Sequence, residues 1–251
     1  MATLTNPPRN FLNNPMVGEL SALAGAVEQV AEVRALVLTG GVEGIFITHY
    51  DVGELTVVSD RMQGGGGAPP GELHAMHQML LQLQRLPQPV IAAINGTAMG
   101  GGCELALACD FRYMAKAPGA VIGLPEVRVG ILPGAGGTQR LTRLLGVARA
   151  LELMLLGNTV DPETAERIGL VHRAVAPEGL LPAVLALAEE LALRPPLSVA
   201  LIKQCILQGS DLPLADALRF EQDAFWQTMR TADALRLMRR YQKSERPLDQ
   251  Q

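Results

Sequence analysis

Asn95-Gly96-Thr97-Ala98-Met99-Gly100-Gly101-Gly102-Cys103-Glu104 carries the parts of an acid–base site in one short stretch. The apolar run Pro89 to Ala93 reads as a buried strand, and Leu105-Ala106-Leu107-Ala108 reads as the start of a helix. Glycines at such a turn leave backbone N–H groups uncovered, and the first N–H groups of a helix have no partner inside it. The helix dipole adds partial positive charge, so the turn can hold an oxyanion. Glu104 follows within one helical turn and can take or give a proton. The same residues also suit a tight turn with a solvated glutamate at a helix start, where carboxylates are favoured anyway.

A second segment carries another carboxylate. Gly123-Leu124-Pro125-Glu126 is followed by Gly130-Ile131-Leu132-Pro133-Gly134-Ala135-Gly136-Gly137-Thr138-Gln139-Arg140-Leu141. Glu104 and Glu126 lie on different elements, so only the fold can bring them together. A partly desolvated pair raises at least one pKa and makes a neutral acid available near neutrality. Glu126 precedes an apolar segment, and a surface position for it stays open.

The elements that must position these groups alternate in the first half of the chain. Helical spacing predicts helices over Gly18 to Val30 and over Gly71 to Leu86, the latter with Leu73, Met76, Leu80 and Leu83 inward. Strands are predicted at Ala35 to Thr39, Pro89 to Ala98, Phe111 to Ala115 and Val121 to Gly123, with a helix at Gly102 to Cys109. This alternation predicts an α/β fold with largely parallel sheets. The second half reads as helical: Asp161-Pro162-Glu163 supplies an N-cap, a first-turn proline and an acidic first turn, and Gly169 closes that helix. Further helices are predicted at Glu178 to Ala192, Pro196 to Gln208, Leu214 to Met229 and Ala232 to Lys243. No internal repeat has a fixed period. Gln63 to Gly71, with four consecutive glycines and Pro69-Pro70, has the composition of a mobile loop.

Composition excludes several classes. At 48% hydrophobic and 18% charged residues over 251, the chain is globular and can bury a substantial core. A net charge of −4 and a pI near 5.6 argue against non-specific nucleic-acid binding. Met1 to Pro8 has no cationic start and no apolar centre, so neither a secretory signal nor a membrane anchor is expected. Cys103, Cys109 and Cys205 lack metal-ligand spacing and read as small buried thiols in a reducing cytosol, which points to a cytoplasmic protein. His74 and His77 suggest no third ligand, so no metal is expected. Gly134-Ala135-Gly136-Gly137 imitates part of a dinucleotide loop without completing it. Arg140 and Arg143 read as helix-surface charges, and Asp110 as a group satisfying a local backbone donor.

Together the two glutamate segments closely resemble the crotonase superfamily, the enoyl-CoA hydratase and isomerase proteins. Pro8-Arg9-Asn10-Phe11-Leu12-Asn13 is similar to the family's Pro-x-Asn-Ala-Leu-Asn segment, and Val33 to Gly40 to its Val-Arg-x-Leu-Val-Leu-Thr-Gly strand. Phe46 to Asp51 stands where the family has Phe-Ser-Ala-Gly-Ala-Asp, and Gly146 to Gly157 and Asp161 to Val175 resemble its later helical segments. The resemblance implies a ββα spiral core over 1–193 and a helical C-terminal region over 194–251 that helps form a homotrimer or dimer of trimers. Only a few residues precede Pro7, so the family's first strand is expected to be short or missing.

The resemblance further implies that the N–H groups of Gly101 and Tyr50 hold the thioester oxygen of an acyl-CoA substrate. Gly101 fits from its position as well. Tyr50 departs from the pattern: Thr48-His49-Tyr50-Asp51 replaces small residues, so His49 is expected to strain the turn and the Tyr50 ring to narrow the acyl pocket, hydrogen-bond substrate or pack outward. By resemblance Glu104 activates water and Glu126 moves the proton at the α-carbon, with no metal or redox cofactor. By resemblance, coenzyme A is expected along the backbone around Tyr50, Asp51, Val52 and Gly53, with adenine near Phe46 and Arg9 or Lys243 as candidate phosphate partners. The implied activity is an enoyl-CoA hydratase. A double-bond isomerase, another acyl-CoA thioester enzyme and a catalytically silent oligomeric scaffold are the alternatives.

Overall fold

Short apolar runs bounded by turns build two sheets in the computed structural model, which describes residues 1–67, 71–244 and 246–248. β1 (Ala2–Leu4), α1 (Asn14–Gln29), β2 (Leu36–Gly40), β3 (Ile45–Ile47), α2 (Val52–Gln63) and α3 (Ala75–Arg85) come first. β4 (Val90–Ile94), β5 (Thr97–Met99), α4 (Gly101–Ala108), β6 (Phe111–Ala115) and β7 (Ile122–Gly123) follow. A 3-10 turn at Glu126–Val129 leads to α5 (Gly137–Leu145), α6 (Val147–Leu155), β8 (Thr159–Val160), α7 (Pro162–Arg167) and β9 (Arg173–Val175). The helices α8 (Leu180–Ala192), α9 (Pro196–Gly209), α10 (Leu214–Met229) and α11 (Ala232–Gln242) complete the order. Two compact units divide the chain, Met1–Ala188 and Glu189–Gln251.

One sheet has the order β1-β2-β4-β6-β9, all parallel, and the other β3-β5-β7-β8, with only β8 antiparallel. Successive strands therefore go alternately to the two sheets: β2 then β3, β4 then β5, β6 then β7. This is the ββα spiral. β4 is buried along its whole length, as a central parallel strand covered on both faces must be. Phe46, Ile47, Leu80, Leu83, Ile94 and Leu105 are fully buried in the core between the sheets and the helices of the first unit.

The expected single strand Pro89 to Ala98 is two strands, one in each sheet. Asn95 breaks it: its Oδ1 accepts from Gly40 N–H at 2.9 Å and its amide donates to Val42 O at 3.0 Å. Gly96 then passes so close to the preceding turn that a Cβ there would fall 1.7 Å from Gly44 O. The expected helix from Gly71 starts only at Ala75, because His74 is extended and occupies the cap; Leu73 stays 51% exposed, not inward. The first strand is present: β1 is three residues long and pairs with β2. Asp161 caps α7 through Thr164 N–H at 2.7 Å, as its position predicted. Cys103 and Cys109 are buried, while Cys205 is only partly so. Of the glycine-rich segment, Ala68, Pro69 and Pro70 lie outside the described residues, as do Glu245 and positions 249–251. No helix among the described residues is long and apolar enough to cross a membrane.

Candidate active site

β5 delivers the chain to α4 through Gly100, at φ +49°, a conformation that suits glycine. Gly102 lets the helix start rest on the end of β3, since a Cβ there would meet Ile47 O at 2.2 Å. Gly101 consequently sits beside Tyr50: a Cβ on Gly101 would lie 3.3 Å from Tyr50 N. Leu12 fixes the peptide groups around Tyr50, its N–H donating to His49 O at 2.9 Å and its carbonyl accepting from Asp51 N–H at 2.7 Å. In a parallel bridge the residue between those two bonds turns its own N–H to the opposite side. Among the described residues neither the Tyr50 nor the Gly101 N–H meets a backbone acceptor. Two neighbouring N–H groups are thus left for a ligand.

Glu104 is only 3% exposed. Its Oε1 accepts from Ala135 N–H at 2.7 Å and Gly137 N–H at 2.9 Å, where α5 begins. The glycine run that imitated a dinucleotide loop is therefore an anion cradle, and the anion is the protein's own carboxylate. Hydrogen bonds to a charged group contribute about 1.5–3 kcal/mol each. Burial still wins, and the Glu104 pKa is raised, with the two N–H groups and the Arg140 charge opposing it. Arg140 corrects the surface-charge expectation: it is half-buried, donates to Ala135 O at 2.9 Å and to Gln84 at 3.1 Å, and so fastens the cradle. Arg143 is exposed and bonds Gln139. His74 Nε2 lies 2.9 Å from Gly134 O, so that nitrogen carries the proton.

Glu126 opens the 3-10 turn after β7, half-buried, with its Oε1 3.2 Å from where a Cβ on Gly100 would stand. Its Oε2 is buried with no hydrogen-bond partner among the described residues. Burial, opposed by a backbone hydrogen bond and helped by the Glu104 charge, pushes its pKa up to about 7. Such a carboxyl is close to half-protonated at neutrality and can act as acid or base.

Both glutamates, Gly101 and Tyr50 line one cavity of about 660 Å³, a volume usual for small-molecule sites. Val52, Leu55, Val58 and Met62 of α2 and Val129, Ile131 and Leu132 supply apolar wall. Asp51 and Gly53 are not in the lining; Asp51 caps α2 by accepting from Gly53 N–H at 2.7 Å. Phe46 corrects another expectation, because its ring is fully buried in the core and offers no surface to adenine. His49 does not strain its turn: Asn10 is the only non-glycine at positive φ among the described residues. The His49 ring stacks on Phe11 at 4.6 Å, with Nδ1 2.7 Å from Tyr50 O. Tyr50 is half-buried, its hydroxyl donating to Glu54 at 2.8 Å. Asp110 accepts from Val90 N–H at 2.7 Å, a donor on β4 distant in sequence. His74 and His77 rings lie 4.1 Å apart, and no group of three metal-ligating side chains occurs among the described residues. Sequence reasoning missed the roles of Ala135, Gly137, Arg140 and Glu54; the run Gly134 to Gly137 was the available signal for the first two.

Two spiral sheets, a glycine turn that sets the Gly101 N–H beside that of Tyr50, and a pair of glutamates on one cavity define a protein of the crotonase class. The enoyl-CoA hydratase/isomerase family model matches residues 1–248. A short-chain-enoyl-CoA hydratase of Clostridium acetobutylicum is 37% identical over 234 residues, 93% of this chain and 87% of that protein. A crotonyl-CoA hydratase of Syntrophomonas wolfei is 37% identical over 225 residues, 89% and 83% of the two. The solved enoyl-CoA hydratase of Bacillus anthracis superposes with a TM-score of 0.86 at 34% identity, over 98% of this chain and 93% of that one. The chain belongs to the enoyl-CoA hydratase/isomerase family, within the crotonase superfamily.

Proposed function

We propose that the protein adds water across the double bond of a 2-enoyl-CoA thioester. It is an enzyme of the enoyl-CoA hydratase type, a hydro-lyase. The observation that carries the reading is the pair of carboxylates on one cavity with unlike environments. Glu104 is anchored by two N–H groups, and Glu126 is poised to titrate near neutrality. The Tyr50 and Gly101 N–H groups bind the thioester oxygen and take up the charge that grows on it in the enolate-like transition state. Glu104 removes a proton from water as it attacks the β-carbon, and Glu126 gives its proton to the α-carbon. Coenzyme A lies along the chain at Tyr50 and Val52. An isomerase needs only one acid–base group, and a silent scaffold needs neither, so the retention of both in one cavity favours hydration.

Loss of the enoyl absorbance of crotonyl-CoA, followed with purified protein, tests this reading; isomerisation of a 3-enoyl-CoA without hydration would overturn it. The pH profile supplies a sharper check. Hydration needs Glu126 protonated and Glu104 ionised. Glu126 loses its proton above about 7, so kcat/KM is expected to fall about tenfold per pH unit beyond that point. The acid limb, set by Glu104, is expected above the usual carboxylate range. A rate flat from neutral to mildly alkaline pH would remove Glu126 as the acid.

Assembly is part of the same proposal. On α10, Leu214 is 74% exposed and Leu218, Phe225 and Trp226 about half, an apolar face that a soluble helix covers with a neighbour. Ala217 is turned instead toward α9, 3.7 Å from the place of a Cβ on Gly209. A trimer or dimer of trimers is the expected mass by light scattering at micromolar concentration, and a monomer would contradict it.

A further inference from the structure

Tyr50 lines the cavity with a ring that is tied at its far end. The phenol donates to Glu54 Oε2 at 2.8 Å and lies 2.9 Å from Asn14 Oδ1. Glu54 in turn accepts from Asn14 N–H, at 3.0 Å to Oε2 and 3.3 Å to Oε1. Asn14 is the first residue of α1, so its N–H has no partner within that helix, and the helix dipole favours a carboxylate there. Glu54 itself stands in the first turn of α2. One carboxylate therefore links the start of α1, the start of α2 and the Tyr50 side chain. Burial, the Glu54 hydrogen bond and the Glu54 and Asp51 charges all raise the Tyr50 pKa, so the phenol keeps its proton and the bond persists at working pH.

Tyr50 is also the residue whose backbone nitrogen lies beside Gly101. Its peptide is strapped to Leu12 on one side, and its carbonyl meets His49 Nδ1 on the other. Backbone ties set the mean direction of the N–H, and the anchored side chain restricts tilting of the residue about that direction. Rotamer changes of a free phenol turn about Cα–Cβ and leave the backbone in place, whereas a phenol anchored on Glu54, which also holds the start of α1, gives the residue a second fixed point and limits how far it can tilt as a whole. Resting on the hydratase reading, we propose that Glu54 is a positioning residue, which steadies the Tyr50 N–H against the thioester oxygen by holding the Tyr50 hydroxyl.

Because the interaction sharpens as charge grows on the oxygen, disturbing it is expected to lower kcat and leave KM nearly unchanged. The expected loss is about tenfold for Tyr50→Phe and for Glu54→Ala, smaller than the 100- to 1,000-fold typical of removing a whole oxyanion donor. The two act as one link, so the double variant is expected to lose about tenfold as well, not about 100-fold. Glu54→Gln keeps an oxygen able to accept from both donors and is expected to recover most of the lost kcat. Steady-state kinetics with crotonyl-CoA on all four variants decide it. Multiplying losses in the double variant, a change confined to KM, or a Glu54→Gln variant as slow as Glu54→Ala would each overturn the proposal. If the wild type does not hydrate crotonyl-CoA, the hydratase reading fails on its own. The tie is then read from exchange of the α-proton of a saturated acyl-CoA into heavy water, which uses the same N–H groups, and an exchange rate indifferent to Tyr50→Phe would overturn it.

Discussion

Glu104→Gln is expected to abolish hydration while leaving measurable exchange of the α-proton of a saturated acyl-CoA into heavy water, whereas Glu126→Gln suppresses both. On the proposed mechanism, exchange uses the two N–H groups and one base at the α-carbon, but no attacking water. A positioned acid or base contributes about 100- to 10,000-fold, which leaves a wide margin over ordinary variation between preparations. The structure makes the Glu104 variant a clean one. A glutamine oxygen can still accept from Ala135 and Gly137 N–H, so the start of α5 keeps its ligand and loses only the ability to accept a proton. Glu126 Oε2 has no partner among the described residues, so an amide there breaks no hydrogen bond of that atom. Both variants should bind acyl-CoA, because the groups proposed to hold the thioester oxygen, the Tyr50 and Gly101 N–H groups, are backbone. Near wild-type hydration by Glu104→Gln would remove its role and favour the isomerase, and exchange by Glu126→Gln would move the α-proton chemistry elsewhere.

Gly96→Ala is expected to cost stability on a scale comparable to the loss of a large core side chain. The added methyl would sit 1.7 Å from Gly44 O and 1.9 Å from Gly44 C, with Ile45 N at 2.6 Å. These are backbone atoms at the entry to β3 and cannot swing aside as a flexible side chain would. Overpacking commonly costs about 1–3 kcal/mol and sometimes more, and rigid neighbours place this site at or beyond the upper end. A loss of about 3 kcal/mol corresponds to a fall in Tm of roughly 6–12 °C for a chain of this size. Gly18→Ala is the matched control, because a Cβ there meets nothing within 4 Å and lies inside a helix, where alanine is favoured. Equal Tm values for the two variants would show that the turn yields easily and that β3 and β5 are not held in register by this contact.

Much of the fold was legible because local physics and fold agree. α10 and β6 span the very residues the sequence predicts for them, Leu214–Met229 and Phe111–Ala115. The spiral itself left no period in the sequence, since its turns start at Leu36, Val90 and Phe111 and the segments between them differ in length. The break at Asn95 was hidden for a related reason. An apolar run looks the same whether it stays in one sheet or crosses to a second, and the decision rests with Gly44 and Val42, far upstream.

Residue types alone determined that Glu104, Glu126 and a glycine turn with open N–H groups were available, because a carboxylate's chemistry and a glycine's freedom travel with the residue. What each glutamate can do was decided only in three dimensions. A pKa depends on burial and on partners distant in the chain: Ala135 and Gly137 for Glu104, and for Glu126 a buried oxygen without a donor and the Glu104 charge. Phe46 and Tyr50 show the same division. Resemblance put adenine near Phe46 and left the Tyr50 ring to the acyl pocket or to outward packing; the fold took Phe46 into the core, while a hydrogen bond from Tyr50 to Glu54 kept the Tyr50 ring at the cavity wall.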